Sequence, residues 1–350
     1  MKRFKGIVLA AFAVLLAATY ALPAPAVSAQ SAALSIPPKK NYVVDPGDSL
    51  DDTLLIRNID TSKPLQLYLR VIDFTYTDKG GTPKLMLDVN APQTTWSAKP
   101  FLSVPRSVEV PAGGNASIPI GVEIPANQGA GSYYSAIIYS TSAPDGGNVG
   151  LAASGVTLAF ISIPGQVSED LQFKNLGAYD LTASESSDGY RFITGDDPKA
   201  IGYTLENKGN VTASPIGTIS LKDIFGRETV INEINPNGSL ALIGQTRTFT
   251  ACIKIKEVDV NVAGSTAAGK TCDNSGLWPG LYAVTADIFY GQNGNNTNEI
   301  VKTAYFWYLP LWFIIAVIII LLVIAYFVFR IVRKIKGSQK GKIKMPSRRK

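Results

Sequence analysis

The 350-residue sequence predicts an all-β protein of two tandem β-sandwiches, followed by one C-terminal transmembrane α-helix. Short runs of alternating apolar and polar residues recur between Pro, Gly, Asn and Asp turn signals, and no long amphipathic helical pattern competes with them. One stretch breaks this texture. Leu309–Phe329 is 21 residues without a charge, and at about 1.5 Å rise per residue it spans the roughly 30 Å hydrocarbon layer of a bilayer.

The first expected element is a signal peptide over 1–29. Met1 to Lys5 carries three basic residues, Ile7 to Ala18 is apolar but short for a membrane span, and Val27-Ser28-Ala29 places small residues where a signal peptidase reads. Cleavage is expected before Gln30. A first sandwich follows over 30–165. Leu65, Leu67, Leu69 and Val71 fall on one face of a strand while Gln66, Tyr68 and Arg70 fall on the other. Ile118, Ile120, Val122 and Ile124 repeat the alternation after Pro111-Ala112-Gly113-Gly114-Asn115, and Tyr133 to Tyr139 adds a strand after Gly129-Ala130-Gly131. About seven such runs lie between Tyr42 and Ile163, as a sandwich of antiparallel sheets requires.

Ile163-Pro164-Gly165-Gln166 marks a boundary, and a second sandwich is expected over 166–304. Its strands are read at Ile201, Tyr203 and Leu205, at Ile219 and Leu221, over Thr246 to Ile255, and at Tyr282, Val284, Ala286, Ile288 and Tyr290. Gly291 to Asn298 reads as a turn, with Ile300 to Ala304 the last strand. An aromatic collar and transmembrane helix are expected over 305–329, with Tyr305, Trp307, Tyr308 and Trp312 at the membrane interface. Arg330, Arg333 and Lys334 crowd the opposite end and open a basic tail over 330–350. This asymmetry predicts a single-pass cell-membrane protein with its sandwiches extracellular and its tail cytoplasmic.

The chain carries 33 Lys+Arg against 27 Asp+Glu. Three basic residues lie in the leader and ten from Arg330 onward, with no acid in either, so the part between is net acidic. The basic surplus therefore belongs to targeting and topology, and nucleic acid is not an expected partner. The tail reads as a topology signal attracted to anionic lipid, the alternative being a cytoplasmic protein partner. Both cysteines, Cys252 and Cys272, lie in the second sandwich. A disulfide across the polar excursion between them is the natural reading of exported cysteines, with two separate buried thiols as the alternative.

Histidine is missing from the sequence, which removes the commonest general base, every Ser/His/Asp or Cys/His arrangement and His-ligated metal centres. Acidic pairs such as Asp51-Asp52 and Asp196-Asp197 are expected to be solvated turn residues rather than a glycosidase pair. No catalytic residue, metal or cofactor is expected. Asn115-Ala116-Ser117, Asn210-Val211-Thr212, Asn237-Gly238-Ser239 and Asn295-Asn296-Thr297 fit the glycosylation triplet, though each coincides with a turn that favours Asn.

Two regions, Asn41 to Ser142 and Tyr203 to Glu228, carry a family resemblance. DPGDSLDDTLLIRNIDTSKPLQLYLRVIDF (Asp45–Phe74) and VEVPAGGNASIPIGVEIPANQGAGSYYSAIIYST (Val108–Thr141) resemble the extracellular domain of Gram-positive surface proteins that interact with WxL proteins and peptidoglycan. YTLENKGNVTASPIGTISLKDIFGRE (Tyr203–Glu228) is similar to the Ig-like domain that follows it in those proteins. The resemblance implies Ig-like or PapD-like sandwiches and a binder of cell-wall polymer or of an exported surface protein. It transfers no catalytic residue.

The expected function is a membrane-anchored extracellular binding or scaffold protein, with Trp96, Tyr76 and Phe101 as aromatics that stack on sugar or anchor a protein partner. Each of these rings has a core placement as its alternative. A second reading is an accessory or chaperone-like subunit of an exported surface assembly, pairing a strand edge with a client. An enzyme is the weakest reading.

Overall fold

The computed structural model describes residues 34–76, 81–88, 91–141, 153–183, 188–262, 265–291 and 295–340. The expected signal peptide and the end of the basic tail, 341–350, lie outside them. Up to Ile163 the strands are β1 (Leu34–Ser35), β2 (Lys39–Val43), β3 (Ser49–Asn58), β4 (Leu65–Ile72), β5 (Phe74–Tyr76), β6 (Pro83–Leu85), β7 (Leu102–Ser103), β8 (Ser107–Val110), β9 (Asn115–Glu123), β10 (Gly131–Ser140) and β11 (Ala153–Ile163). Two sheets, ordered β1-β3-β9-β7 and β2-β11-β10-β4-β8, face each other. The alternation read from the sequence places their inward residues: Leu54 and Ile56 of β3 and Ile118, Ile120 and Val122 of β9 meet Leu67 and Leu69 of β4 and Ile137 of β10 in one core.

The second sandwich contains β12 (Leu171–Tyr179), β13 (Tyr190–Arg191), β14 (Ile193–Thr194), β15 (Ala200–Asn207), β16 (Ile216–Asp223), β17 (Glu228–Ile231), β18 (Thr246–Cys252), β19 (Ile255–Val262), β20 (Ser265–Cys272), β21 (Gly280–Tyr290) and β22 (Asn298–Tyr308). Its sheets run β13-β12-β15-β18 and β14-β22-β21-β16-β17, around a core of Ile201, Tyr203, Leu205, Ile219, Leu221, Val284, Ala286 and Ile288. Tyr203 stacks on Phe249 at 5.1 Å and Tyr282 on Phe306 at 5.4 Å between ring centroids. Among the described residues, one α-helix, α1 (Leu311–Lys340), follows.

The sandwiches share a third cluster. Ile72, Phe74, Tyr134, Ala136, Ile138 and Phe160 on the outer face of the β10 sheet pack against Leu242 and Ile243 of the second sandwich. Strand β10 is therefore buried on both faces, and its sequence fits this, with Tyr134, Ala136 and Ile138 on one face as apolar as Tyr133, Ile137 and Tyr139 on the other. Polar contacts complete the junction. The backbone N–H of Ser132 donates to the carbonyl of Asn210 at 3.0 Å, and Asn210 Nδ2 donates to the Ala130 carbonyl at 3.1 Å. At the linker, Gly165 has φ +141°, and a Cβ there would sit 2.8 Å from the Cβ of Ala130, so the close passage of the chain favours glycine.

The structure moves two expected boundaries. Strand β22 continues through Tyr308, so Tyr305, Trp307 and Tyr308 belong to the sandwich rather than to a helical collar. Phe306 between them is buried in the core, and Tyr305 and Trp307 point outward, as the period of a strand dictates. The strand expected over Thr246 to Ile255 also breaks, at Ile253-Lys254, and a new hairpin begins.

Candidate functional site

Edge strands are where a sheet can accept another chain, because their outward N–H and C=O groups lack partners within the sheet. Most edges here are short. Among the described residues, the terminal strands β1, β7, β13 and β14 have two residues each, and β8 and β17 have four. The longest terminal strand of the four sandwich sheets is β18, with seven residues. It pairs with β15 on one side and leads directly into β19 and β20.

β19 and β20 form a two-stranded ribbon that joins neither sheet of the sandwich. Its register runs from Ile255 opposite Cys272 to Val262 opposite Ser265, so eight residue pairs extend it by about 27 Å. The base is closed covalently. Cys252 and Cys272 form a disulfide with their Cα atoms 5.1 Å apart, and the Asp273 N–H donates to the Lys254 carbonyl at 2.9 Å. Ser275 ties the outgoing chain to Asp197 by its backbone N–H, at 2.8 Å, and by its hydroxyl. Near the base Lys254, Ile255, Lys256, Glu257, Ala268, Lys270 and Thr271 are exposed, so the ribbon has no apolar face against the sandwich there. Isolated two-stranded hairpins are marginal in water. The disulfide offsets that weakness and leaves the ribbon's outer backbone edges available.

The expected binding aromatics lie elsewhere, and the first two depart from exposure. Phe101 is in the first core, edge-on to Tyr133 at 5.3 Å, because Lys99–Phe101 turns its ring inward before β7. Tyr76 closes the junction: its hydroxyl donates to the Leu240 carbonyl at 3.3 Å and accepts from Arg247 Nη1 at 3.1 Å, with the guanidinium 4.9 Å from its ring centre. Burial pushes its phenol above the usual range, opposed by the Arg247 charge. Trp96 is half-buried, packing against both the first core and the junction cluster. Its backbone is fixed on β10, where the Tyr134 N–H donates to the Trp96 carbonyl at 2.9 Å. Next to it, the hydroxyls of Ser97 and Ser135 donate to buried Asp73 at 2.5 and 3.1 Å.

The acidic pairs are separated in role. Asp52 accepts from Lys40 Nζ at 2.7 Å and from the Tyr42 hydroxyl at 3.0 Å, and the Lys40 hydrogen bond is the main force holding its carboxyl below the usual range. Asp51 takes no part in that contact, and Asp197 serves Ser275. Of the glycosylation triplets, Asn210 uses its side-chain nitrogen in the junction, so a glycan there would displace an inter-sandwich hydrogen bond. At the other end, Leu311–Lys334 is the one segment among the described residues long and apolar enough to cross a membrane. Trp312 is exposed on it, as are Arg330, Arg333 and Lys334 at its far end.

No family model matches the chain, and no curated protein does. Among solved structures it is similar to the class 5 fimbriae chaperone CfaA, at 13% identity and a TM-score of 0.35, over 79% of this chain and 100% of that one. The Pseudomonas aeruginosa CupB2 chaperone shares 12% identity over 75% of this chain and 96% of its own, with a TM-score of 0.30. The E. coli chaperone DraB shares 10% over 78% and 96%, with a TM-score of 0.32. Likenesses this distant assign no residue of this chain a role.

Proposed function

We propose that this chain is a membrane-anchored accessory protein of an exported surface assembly, holding another exported protein by strand-edge pairing at the β19–β20 ribbon. The observation that carries this reading is the ribbon itself, a disulfide-closed hairpin outside both sheets, whose strands pair only with each other among the described residues, on a sandwich whose other terminal strands are shorter. An extended segment of a partner added to such an edge gains main-chain hydrogen bonds, and alternate side chains supply selectivity. The junction supports the same reading, since the shared apolar cluster makes the two sandwiches a common platform rather than beads on a linker.

In this proposal α1 crosses the cell membrane once, the basic flank faces the cytoplasm and the sandwiches face outward. The resemblance to WxL-interacting surface proteins fits an exported protein as the partner. Docking of cell-wall polymer through Trp96, Tyr76 and Phe101 has no support from their packing. The reading is of a binding protein and calls for no reacting group.

Photo-reactive residues placed at exposed Glu257 or Lys270 of the full-length chain in its own membrane should cross-link to one exported protein from both positions. Val258→Pro, which removes a ribbon N–H, should abolish the capture. Cross-links that form at exposed Thr95 beside Trp96, and at neither ribbon position, would place recognition on the first sandwich and overturn the proposal.

A further inference from the structure

Where β22 ends, neighbouring strands end with it. Ile193 of β14 lies opposite Trp307, Trp307 opposite Leu281 of β21, and Tyr282 opposite Asp223, the last residue of β16. The loops at this one end of the sheet carry large apolar side chains turned to the outside. Phe192 is 63% exposed, Ile193 58%, Ile224 64%, Phe225 75% and Trp278 63%. Arg227 sits among them, its guanidinium 5.6 Å from the Phe225 ring and 5.5 Å from the Trp278 ring, while Nε donates to Asp223 at 2.6 Å. An aromatic rim with a cation held against it suits the headgroup level of a bilayer, where rings and guanidinium stems lie in apolar surroundings and polar tips reach water.

The helix leaves from this same end. Leu309 donates its N–H to the Thr194 carbonyl at 2.8 Å, Pro310 is buried, and α1 begins at Leu311. Two residues separate strand from helix, so the end of β22, at which the rim lies, is within about 10 Å along the chain of the first membrane-competent turn. Large apolar side chains exposed together at one end of a domain call for a cover. We infer that the second sandwich rests on the bilayer, inserting Phe192, Ile193, Ile224, Phe225 and Trp278 into the headgroup–acyl boundary of the leaflet that α1 enters. This rests on the reading of α1 as a membrane span. The contact would fix the tilt of both sandwiches and so set the direction in which the ribbon is presented.

The test uses the full-length chain in phosphatidylcholine vesicles, with and without lipid brominated near the headgroup. In the Trp307→Phe/Trp312→Phe chain the brominated lipid should quench Trp278, removing roughly half of a two-tryptophan signal in which Trp96 stays bright. Phe225→Asp in that background, a change at an exposed turn, should restore most of the emission. In a Trp278→Phe/Trp307→Phe chain, quenching of Trp312 reports the span separately. Trp312 quenched with Trp278 bright and open to iodide means an anchored sandwich standing clear of the membrane, which overturns the inference alone. Trp278 shielded from iodide but untouched by brominated lipid means a protein cover such as a second copy, and also overturns it. If neither tryptophan is quenched, the membrane reading fails and this inference with it.

Discussion

Trp96 wedges between the core of the first sandwich and the junction cluster, 5.9 Å from the Tyr133 ring, so its removal opens space in two clusters. Trp96→Ala should lower stability by about 2 kcal/mol, below the cost of a fully buried ring because this one is half-buried, as read by denaturant unfolding. An unchanged midpoint would return the ring to the exposed role expected from the sequence. Asp52 gives a pH prediction. Its carboxyl is held below the ordinary value, chiefly by the Lys40 hydrogen bond, so its contribution is full above the unfolded carboxylate pKa of about 4 and is lost as pH falls through the lowered folded value. Asp52→Asn should cost under about 1 kcal/mol at pH 7, as befits a partly exposed pair, and nothing once the pH is below the folded value. Parallel stability curves for the two proteins down to pH 2 would refute the linkage.

At the scale of elements, the disulfide closes a ribbon that stands outside the core. Cys252→Ser should therefore act in two places. Native bridges in exported domains contribute roughly 2 to 5 kcal/mol, and a loss near the lower end is expected because the described residues at the base of the hairpin are mostly exposed. Amides 256–271 should exchange much faster with solvent, while β15, paired with β18 over seven residues, should keep its protection. Equal loss of protection in both would show that the bridge holds the sandwich rather than the ribbon.

For the whole molecule, the proposed topology makes a simple prediction. A protease added to intact cells after any wall is removed should degrade the two sandwiches and leave a fragment containing α1 and the basic tail. Protection of the sandwiches, with loss of the tail instead, would reverse the orientation and with it the exported partner.

Much of the architecture was legible in the sequence because alternation is local. A residue such as Leu67, Ile120 or Val284 faces inward by strand period alone, and an apolar helix long enough to cross a membrane is legible at Leu309–Phe329 from length and lack of charge. Pairing of Cys252 with Cys272 was also within reach of spacing and compartment. What packs on the outside of a sheet is a different kind of fact. Tyr134 and Ile138 are covered because Leu242 and Ile243 arrive from a loop about a hundred residues later; the nearly continuous apolar run of β10 shows that its outer face is covered but not which residues cover it. The same long-range closure takes Tyr76 into the junction, while the turn at Lys99–Phe101 puts Phe101 in the first core and pairing with β21 carries β22 through the aromatic run expected as a membrane collar. Local period decides which way a side chain points from its strand. Only the tertiary structure decides whether protein or solvent waits on the other side.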